Sequence, residues 1–301
     1  MAHLPQTSAG LSAKPELSLA LVVNTFNQPE YLSRVLRAVQ GQTRQPQELI
    51  LADDGSEPET GQVFNQWRRE QRFRCEHVWQ PRGGFRRSAI LNKAIAISAG
   101  EYLVFLDGDT VPHPRFLADH HRLAQPGTLV QGHRALIEKR GAEYFGRGVF
   151  ERDRRRTILA WQLRGLKHAF RWPRSSRRYR DDLRGTRGCN LAIWRSDLIR
   201  VNGYNEAFVG WGREDSELVS RLMNAGVRRV DVRGWALCYH LWHPPANRDL
   251  LSSNDQLLQA AIAQKTTWCD LGLNQVLSRP AESKDAVQGE NQRATSHATG
   301  L

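Results

Sequence analysis

Four short apolar segments recur along the N-terminal part of the chain at a spacing of roughly 30 residues, the length of a strand–helix–strand unit. They are residues 19–23, 49–52, 76–79 and 102–106. Each is short, apolar and followed by polar or small residues, as is typical of a buried parallel strand. The repeat predicts an α/β fold in which a mostly parallel sheet is covered by helices on both faces.

The segments between these predicted strands have helical spacing. Apolar residues within 31–39 fall on one helix face, with Pro29 in the first turn and Gly41 at the end. A second helix is predicted over residues 90–98, with Gly100 as its stop. In such sheets ligands bind beyond the carboxyl ends of the strands.

The chain has 301 residues, of which 40% are hydrophobic, enough for one catalytic unit with a full core. The rhythm of strand and helix ends after Pro126. We therefore expect two intimately packed halves, a C-terminal helix and a disordered tail, at residues 17–125, 126–245, 246–277 and 278–301.

Forty-three Lys and Arg against 31 Asp and Glu leave a net charge of +12, which attracts nucleic acid, acidic lipid or phosphorylated glycan. No segment has the roughly 20 apolar residues of a membrane-spanning helix, and the N-terminus lacks a signal-like apolar core. The four cysteines form no Cys-x-x-Cys pair, which is typical of a reducing compartment. These features predict a cytoplasmic location.

An acidic pair follows the fourth predicted strand. Asp107 and Asp109 are two residues apart, so strand geometry directs both carboxylates to the same side. Oxygen ligands of this kind suit Mg²⁺ or Mn²⁺. The alternative interpretation is a solvated acidic turn.

Residues 19–32 (LALVVNTFNQPEYL), 52–56 (ADDGS) and 100–109 (GEYLVFLDGD), in this order, resemble a family-2 glycosyltransferase of the GT-A fold. The resemblance implies a site for a nucleotide-sugar donor. In that site Phe26 stacks on the base, Asp54 contacts it, Thr25 and Asp107 bind the donor, and Asp109 holds the metal.

A Gly-Gly loop at residues 81–87 (PRGGFRR) precedes the second predicted helix. Glycines, cations and free helix N–H groups can bind a diphosphate there, although solvated arginines are the alternative. Residues 85–92 (FRRSAILN) are similar to the donor-binding stretch of the β-1,4-galactosyltransferases. This resemblance implies that Phe85 and Arg87 lie at the nucleotide.

A second acidic motif occupies residues 210–218 (GWGREDSEL), where glycines flank a Trp and two carboxylates begin a predicted helix. It resembles the C-terminal catalytic region of galactosyltransferase-type enzymes. The resemblance implies that Asp215 is the general base and that the acceptor is bound by Trp211, Gly212 and Glu214. Residues that merely complement the helix dipole are the alternative.

Residues 188–195 (GCNLAIWR) resemble the acceptor-side strand of the same enzymes, which implies acceptor binding by Asn190. By the same resemblance His243 and His240 are metal ligands, although the family often has Met at the earlier position. Two structural histidines, or a zinc site completed by Cys238, are the alternatives.

Residues 151–187 are rich in arginine with interleaved Trp and Leu. Arginine binds phosphate bidentately, so this segment is a candidate docking surface for an anionic glycolipid acceptor such as lipopolysaccharide core, or for an anionic membrane. A charged, solvated helix and loop is the alternative.

Together the residues predict a metal-dependent, inverting glycosyltransferase. We expect it to use UDP-sugar and a glycan or glycolipid acceptor in surface polysaccharide synthesis, with peripheral contact at the inner face of the cell membrane and no nucleic acid. Two other classes stay open, a basic nucleic-acid-binding α/β protein and a nucleotidyltransferase.

Overall fold

The computed structural model describes residues 16–160, 162–172 and 176–278. The predicted tail therefore lies almost entirely outside the described residues. Among the described residues the strands are β1 (Leu19–Thr25), β2 (Glu48–Asp53), β3 (Arg74–Trp79), β4 (Tyr102–Asp107), β5 (Thr110–Pro112), β6 (Thr128–Gln131), β7 (Arg134–Ile137), β8 (Leu163–Arg164), β9 (Ser176–Arg180), β10 (Leu191–Trp194), β11 (Arg228–Arg233) and β12 (Cys238–His240).

The helices have 4 to 13 residues in the same ranges. They are α1 (Pro29–Gln40), α2 (Pro58–Arg68), α3 (Arg87–Ile97), α4 (Phe116–Leu123), α5 (Lys139–Ala142), α6 (Phe150–Leu159), α7 (Arg195–Arg200), α8 (Glu214–Asn224), α9 (Leu251–Ala263) and α10 (Asn274–Leu277).

A large mixed sheet forms the centre of the protein, in the order β3-β2-β1-β4-β10-β6-β11-β9. Strands β1 to β4 are parallel, as predicted. Strand β10 is antiparallel to both β4 and β6, and β11 is parallel to β6. Residues after 126 therefore extend the sheet that the first half begins, which confirms the α/β class.

Alternate residues of the strands face two separate hydrophobic clusters, one on each side of the sheet. Leu21 of β1 packs with α1 and α2, whereas Val22 packs with α3 and α8. This two-residue period is what strand geometry requires when both faces are covered. Strand β3 differs from the prediction, because it lies at the sheet edge and Trp79 is 48% exposed.

Helix α3 begins at Arg87, before the predicted span 90–98, and α9 occupies only part of the predicted C-terminal helix at 246–277. Helix α3 ends at Ile97, before Gly100, because the buried Glu48 carboxylate accepts hydrogen bonds from Ala99 N (2.9 Å) and Gly100 N (2.8 Å). Helix α9 ends at Ala263, and Lys265 then adopts a left-handed backbone with φ 50°.

A smaller sheet of order β5-β12-β7-β8 continues from the carboxyl end of β4. Strands β5 and β12 are antiparallel and place His240 opposite Thr110. The backbone N–H of Leu241 donates to Asp109 O at 2.9 Å. The second sheet therefore brings a segment from late in the chain beside the acidic turn after β4.

Candidate active site

The carboxyl ends of the parallel strands bring the predicted donor residues together. Strand register sets Asn24 beside Asp107 and Thr25 beside Asp53. Thr25 Oγ1 and Asn24 Oδ1 are buried, with no hydrogen-bond partner among the described residues. Unpaired buried polar atoms are rare in folded proteins, so this edge has the character of a ligand site.

A carboxylate and two imidazoles meet next to this edge. Asp109 Oδ2 lies 3.1 Å from His243 Nε2, and Asp109 Oδ1 lies 3.6 Å from His240 Nε2. The three ligand atoms are all within 4.8 Å of one another. The three residues that were predicted from the sequence as metal ligands thus lie close together in the structure.

The protonation chemistry of this cluster suits a divalent cation. His243 Nδ1 donates to Pro244 O at 2.7 Å, which turns Nε2 toward Asp109 and His240. The hydrogen bond from Nε2 to Asp109 raises the pKa of His243, and release of that proton would leave the Nε2 lone pair for a cation. Burial lowers the pKa of His240 to about 4, which keeps its imidazole neutral. Burial opposes ionisation of Asp109, but the His243 hydrogen bond and both imidazoles bring its pKa below the usual value.

Cys238 is not part of this cluster. Its Sγ lies 3.4 Å from both His133 O and Asn190 Nδ2. Within the described chain the metal-ligand group contains only Asp109, His240 and His243, so nothing in the geometry supports the zinc alternative.

Arg87 connects the donor motif to the second acidic motif. Its guanidinium lies 3.3 Å from Asp107, 3.2 Å from Glu214 and 2.7 Å from Asp215, and its side chain is 7% exposed. The first residue of α3 thus joins the end of β4 to the first turn of α8. Motifs more than a hundred residues apart share one buried cation.

Burial controls the protonation of the carboxylates around Arg87. The pKa of Glu214 is raised to about 7, by burial and by the neighbouring Asp215. Burial also raises the pKa of Asp107 to about 6, although Arg87 opposes the shift. Several acidic groups packed around one cation cannot all ionise as easily as in water.

Asp215 is oriented by three donors. Besides Arg87, Gly188 N donates to Oδ2 at 2.8 Å and the Tyr204 hydroxyl approaches Oδ1 at 3.5 Å. A Cβ at residue 188 would overlap both the Arg87 guanidinium and the Asp215 carboxylate, so any larger residue there would displace these groups. The carboxylate of Asp215 is therefore held in one orientation.

The Gly-Gly loop is tied to the end of β2 through Asp54. Its carboxylate accepts hydrogen bonds from Gln80 Nε2 at 2.6 Å and Arg86 N at 2.7 Å, and burial raises its pKa. Phe26 is 41% exposed, and the Arg82 guanidinium lies 5.6 Å from its ring centroid. Phe26 thus offers an accessible aromatic surface, whereas Asp54 organises the loop from within.

The loop before α8 is fixed from both sides. Asn254 of α9 donates to Val209 O at 3.1 Å and Gly212 O at 2.9 Å, and Gly210 N donates to Phe85 O at 3.1 Å. Gly212 has φ 103°, a conformation that glycine adopts without strain. The loop therefore lies against the Gly-Gly loop.

Trp211 lies within this loop and is 38% exposed. The Arg248 guanidinium carbon is 4.8 Å from its ring centroid. The side chain presents a flat, partly exposed surface with a cation beside it.

Asn190 lies apart from these surfaces. It is fully buried, and its amide donates to His133 O at 2.9 Å and Ala236 O at 2.8 Å, while Oδ1 accepts from His120 Nε2 at 2.9 Å. The structure therefore gives Asn190 a positioning contact between loops.

Two further residues of the site were not singled out in the sequence. Tyr204 adjoins Asp215, and its backbone is held by Asn92, whose amide donates to Tyr204 O and whose Oδ1 accepts from Tyr204 N, both at 2.8 Å. Arg134 donates to Cys189 Sγ at 3.3 Å, and its charge acts on both Asp107 and Asp109. Neither residue belongs to a short motif, so spacing alone could not identify it.

Comparison with solved structures shows the same architecture in known proteins. A mannosyltransferase from Pyrobaculum calidifontis, solved with GDP-Man and Mn²⁺, aligns with a TM-score of 0.51 at 19% identity, over 74% of this chain and 56% of that chain. TarS of S. aureus, residues 1–349, aligns with a TM-score of 0.58 at 15% identity, over 87% and 70%. GalNAc-T7, solved with UDP, GalNAc and Mn²⁺, aligns with a TM-score of 0.56 at 13% identity, over 77% of this chain and 45% of that chain. The fold is thus the GT-A fold, as expected.

Comparison of the sequence with models of protein families identifies the family. The model described as glycosyl transferase family 2 matches residues 20–185, and one described as the N-terminal domain of galactosyltransferase matches residues 170–244. The chain belongs to glycosyl transferase family 2, a family of glycosyltransferase enzymes, and its second acidic motif lies in a galactosyltransferase-like region.

Curated relatives extend well beyond the matched part. The hyaluronan synthase of Pasteurella multocida is 25% identical over 79% of this chain and 26% of its own length. The validoxylamine A glucosyltransferase of Streptomyces hygroscopicus subsp. limoneus is 26% identical over 73% of this chain and 51% of its own length. The chondroitin synthase of Escherichia coli is 24% identical over 77% of this chain and 35% of its own length. The chain spans about half or less of the length of these relatives.

No helix in the described ranges is both long and apolar enough to span a bilayer.

Proposed function

We propose that the protein transfers a sugar from a nucleoside-diphosphate donor to a hydroxyl group of a glycan or glycolipid, with inversion at the anomeric carbon. One observation carries the proposal. Arg87 joins Asp107 of the donor motif to Asp215 of the second motif, at 3.3 and 2.7 Å, next to the Asp109–histidine cluster. Groups for a diphosphate and for an acceptor hydroxyl thereby share one cleft.

The donor side is formed by the carboxyl ends of β1, β2 and β4. Phe26 stacks on the base, and the unpaired hydroxyl of Thr25 offers a donor and acceptor beside it. Asp54 and Phe85 line the nucleotide. The Asp54 carboxylate already accepts two hydrogen bonds and retains capacity to accept another from the base. Arg87 and Asp107 bind at the diphosphate and ribose.

Asp109, His240 and His243 fit a Mn²⁺ or Mg²⁺ ion. Their ligand atoms lie within 4.8 Å of one another, and the contact of His243 Nδ1 with Pro244 O turns Nε2 toward the other two ligands. Two imidazoles with one carboxylate favour Mn²⁺ over Mg²⁺. When bound, the ion neutralises charge on the leaving diphosphate.

The acceptor side is formed by the loop before α8. Trp211 provides a platform for a sugar ring, with Gly212 allowing close approach, and Glu214 binds an acceptor hydroxyl. Asp215 takes the proton of the attacking hydroxyl as its oxygen bonds to the anomeric carbon and the bond to the diphosphate breaks. Asn190 supports this side by positioning its loops.

The two halves are assigned accordingly, with residues 17–125 binding the nucleotide sugar and residues 126–245 binding the acceptor. UDP is the proposed nucleotide, and surface polysaccharide or lipopolysaccharide synthesis in the cytoplasm, at the inner face of the membrane, is the proposed setting. The names of the relatives, two of them polysaccharide synthases, support a glycan product.

A donor screen tests the proposal. UDP-, GDP- and dTDP-sugars are incubated with the protein and with glycan acceptors, and nucleotide release is measured with and without EDTA. We expect acceptor-dependent, EDTA-sensitive release from a UDP-sugar. Release from none of the donors, with a melting temperature raised by DNA and not by UDP plus Mn²⁺, would favour the nucleic-acid-binding alternative.

A further inference from the structure

Helix α6 presents a stripe of arginines away from the core. Arg152, Arg155, Arg156 and Leu159 follow the i, i+3, i+4, i+7 spacing of one helix face, and all four are exposed. Leu159 is 79% exposed, and Val149, just before the helix, is 64% exposed. Three cations and two exposed aliphatic side chains thus lie in one short region.

The opposite face of α6 is firmly anchored. Asp153 is buried and accepts hydrogen bonds from Gly146 N at 3.1 Å and Gly148 N at 3.0 Å. The Phe150 ring packs 5.4 Å from Tyr239 and 5.9 Å from Phe145, between ring centroids. The arginine stripe is therefore held outward by the packing of the inner face.

Two adjoining surface concavities lie along this stripe. One, of about 730 Å³, is lined by Glu151, Arg152, Arg155, Arg156, Leu159 and Ala160. A second, of about 470 Å³, shares Arg152 and Arg156 with it. Each concavity is lined by three arginines, together with Leu159 and Ala160 in the first and Tyr144 in the second.

The positive charge of this surface is not neutralised internally. Glu151 is paired with Arg154, which lies 5.7 Å from the Phe170 ring. Arg156 lies over the Tyr144 ring at 4.1 Å. In the part of the chain that the structure describes, Arg152 and Arg155 form no ion pair with a carboxylate.

We propose that this face of α6 docks on an anionic membrane, with Arg152, Arg155 and Arg156 binding lipid phosphates and with Leu159 and Val149 entering the headgroup region. Guanidinium groups bind phosphate bidentately. Burial of exposed aliphatic side chains at the membrane boundary adds favourable binding free energy. A nucleic acid or a soluble phosphorylated glycan would use the cations but not the aliphatic side chains. The inference does not depend on the proposed transfer reaction.

Vesicle sedimentation of the full chain tests the docking surface. We expect binding to phosphatidylcholine vesicles that contain phosphatidylglycerol, and little binding to phosphatidylcholine alone. Each arginine near an anionic surface contributes about fivefold, so Arg152→Gln/Arg155→Gln/Arg156→Gln should weaken binding about a hundredfold. Leu159→Ser should weaken it further without changing its dependence on salt.

A matched control removes the same charge elsewhere. Arg177, Arg178 and Arg184 are exposed on β9 and the turn after it, and their replacement by Gln should change binding by less than about threefold. An equal loss of vesicle binding in both triple variants would show that net charge alone attracts the protein, and it would overturn the proposal. Equal binding of the wild type to both vesicle types would also overturn it. If the triple variant has a lowered melting temperature, Leu159→Asp tests the surface instead, because Leu159 is exposed. This variant should also lose binding to the anionic vesicles.

Discussion

Arg87 Nη1 lies 2.7 Å from Asp215 Oδ1, although 128 positions separate the two residues in the chain. The contact joins the N-terminus of α3 to that of α8, on the same side of the central sheet. Under the proposed function, donor binding and acceptor activation both depend on this buried guanidinium group.

Replacing Asp215 with Asn should remove the proposed base while preserving its shape. We expect the rate of sugar transfer to fall by about 10²- to 10⁴-fold. The rise in melting temperature caused by UDP plus Mn²⁺ should persist. Asp249→Asn, at an exposed position, is the matched control and should keep full activity. Normal turnover in Asp215→Asn would remove this residue from the mechanism.

Replacing Arg87 with Met should destabilise the protein, because Asp107, Glu214 and Asp215 would lose their shared cation. Removal of one partner from a buried ion pair costs about 3–5 kcal/mol. Urea denaturation of the variant measures the loss. Arg86→Met is the control, since the Arg86 side chain donates to Pro81 O and forms no ion pair with Asp107, Glu214 or Asp215. Equal stability of both variants would contradict the central role of Arg87.

Replacing Gly188 with Ala should disturb the active site without opening the core. The added methyl group would overlap Arg87 and Asp215 and force their contact apart. Small displacements of catalytic groups cost about 10²-fold, so we expect a comparable loss of the transfer rate. Activity assays paired with thermal melting separate this effect from unfolding. Unchanged activity would show that Asp215 need not be held in place.

Replacing His243 with Ala should weaken the use of metal. We expect the Mn²⁺ concentration for half-maximal activity to rise by about tenfold or more, as for loss of support at other metal sites. A titration of activity with Mn²⁺ after EDTA treatment measures it. His168→Ala is the control, because His168 stacks on His133 outside the ligand cluster. An unchanged titration for His243→Ala would exclude this ligand.

Stability should fall between pH 6.5 and pH 4 because His120 is buried in its neutral form. Burial lowers the pKa of His120 from 6.5 to about 4 in the folded protein. Below pH 6.5 the unfolded chain binds a proton that the folded state does not, so acid favours unfolding. The shift corresponds to about 3 kcal/mol at pH 4.

Urea denaturation at pH 7 and pH 4.5 measures this loss. His120→Gln retains a donor for Asn190 and should show a smaller difference between the two pH values. His121→Gln should reduce the difference much less than His120→Gln, because burial lowers the pKa of this more exposed neighbour less. An equal pH dependence in all three proteins would contradict the assignment.

The first half of the fold could be predicted from local pattern. Strand residues alternate between two covered faces, and Pro29 and Gly41 bound α1 where helix-end preferences put them. The end of α3 could not be predicted, because it depends on hydrogen bonds to Glu48, which lies about fifty positions earlier. Contacts of that range leave no periodic signal.

The amino-acid sequence by itself determined the α/β class, the family and the chemical types of the candidate site residues, because strand rhythm and short motifs are local properties. Only the tertiary structure decided which of them meet. It placed His240 and His243 at Asp109 through the pairing of β5 with β12, and it set Asn190 apart by burying its amide among backbone carbonyls. The tertiary structure also gave Arg87 its carboxylate partners and Asp215 its Tyr204 contact, because such contacts depend on how distant segments pack.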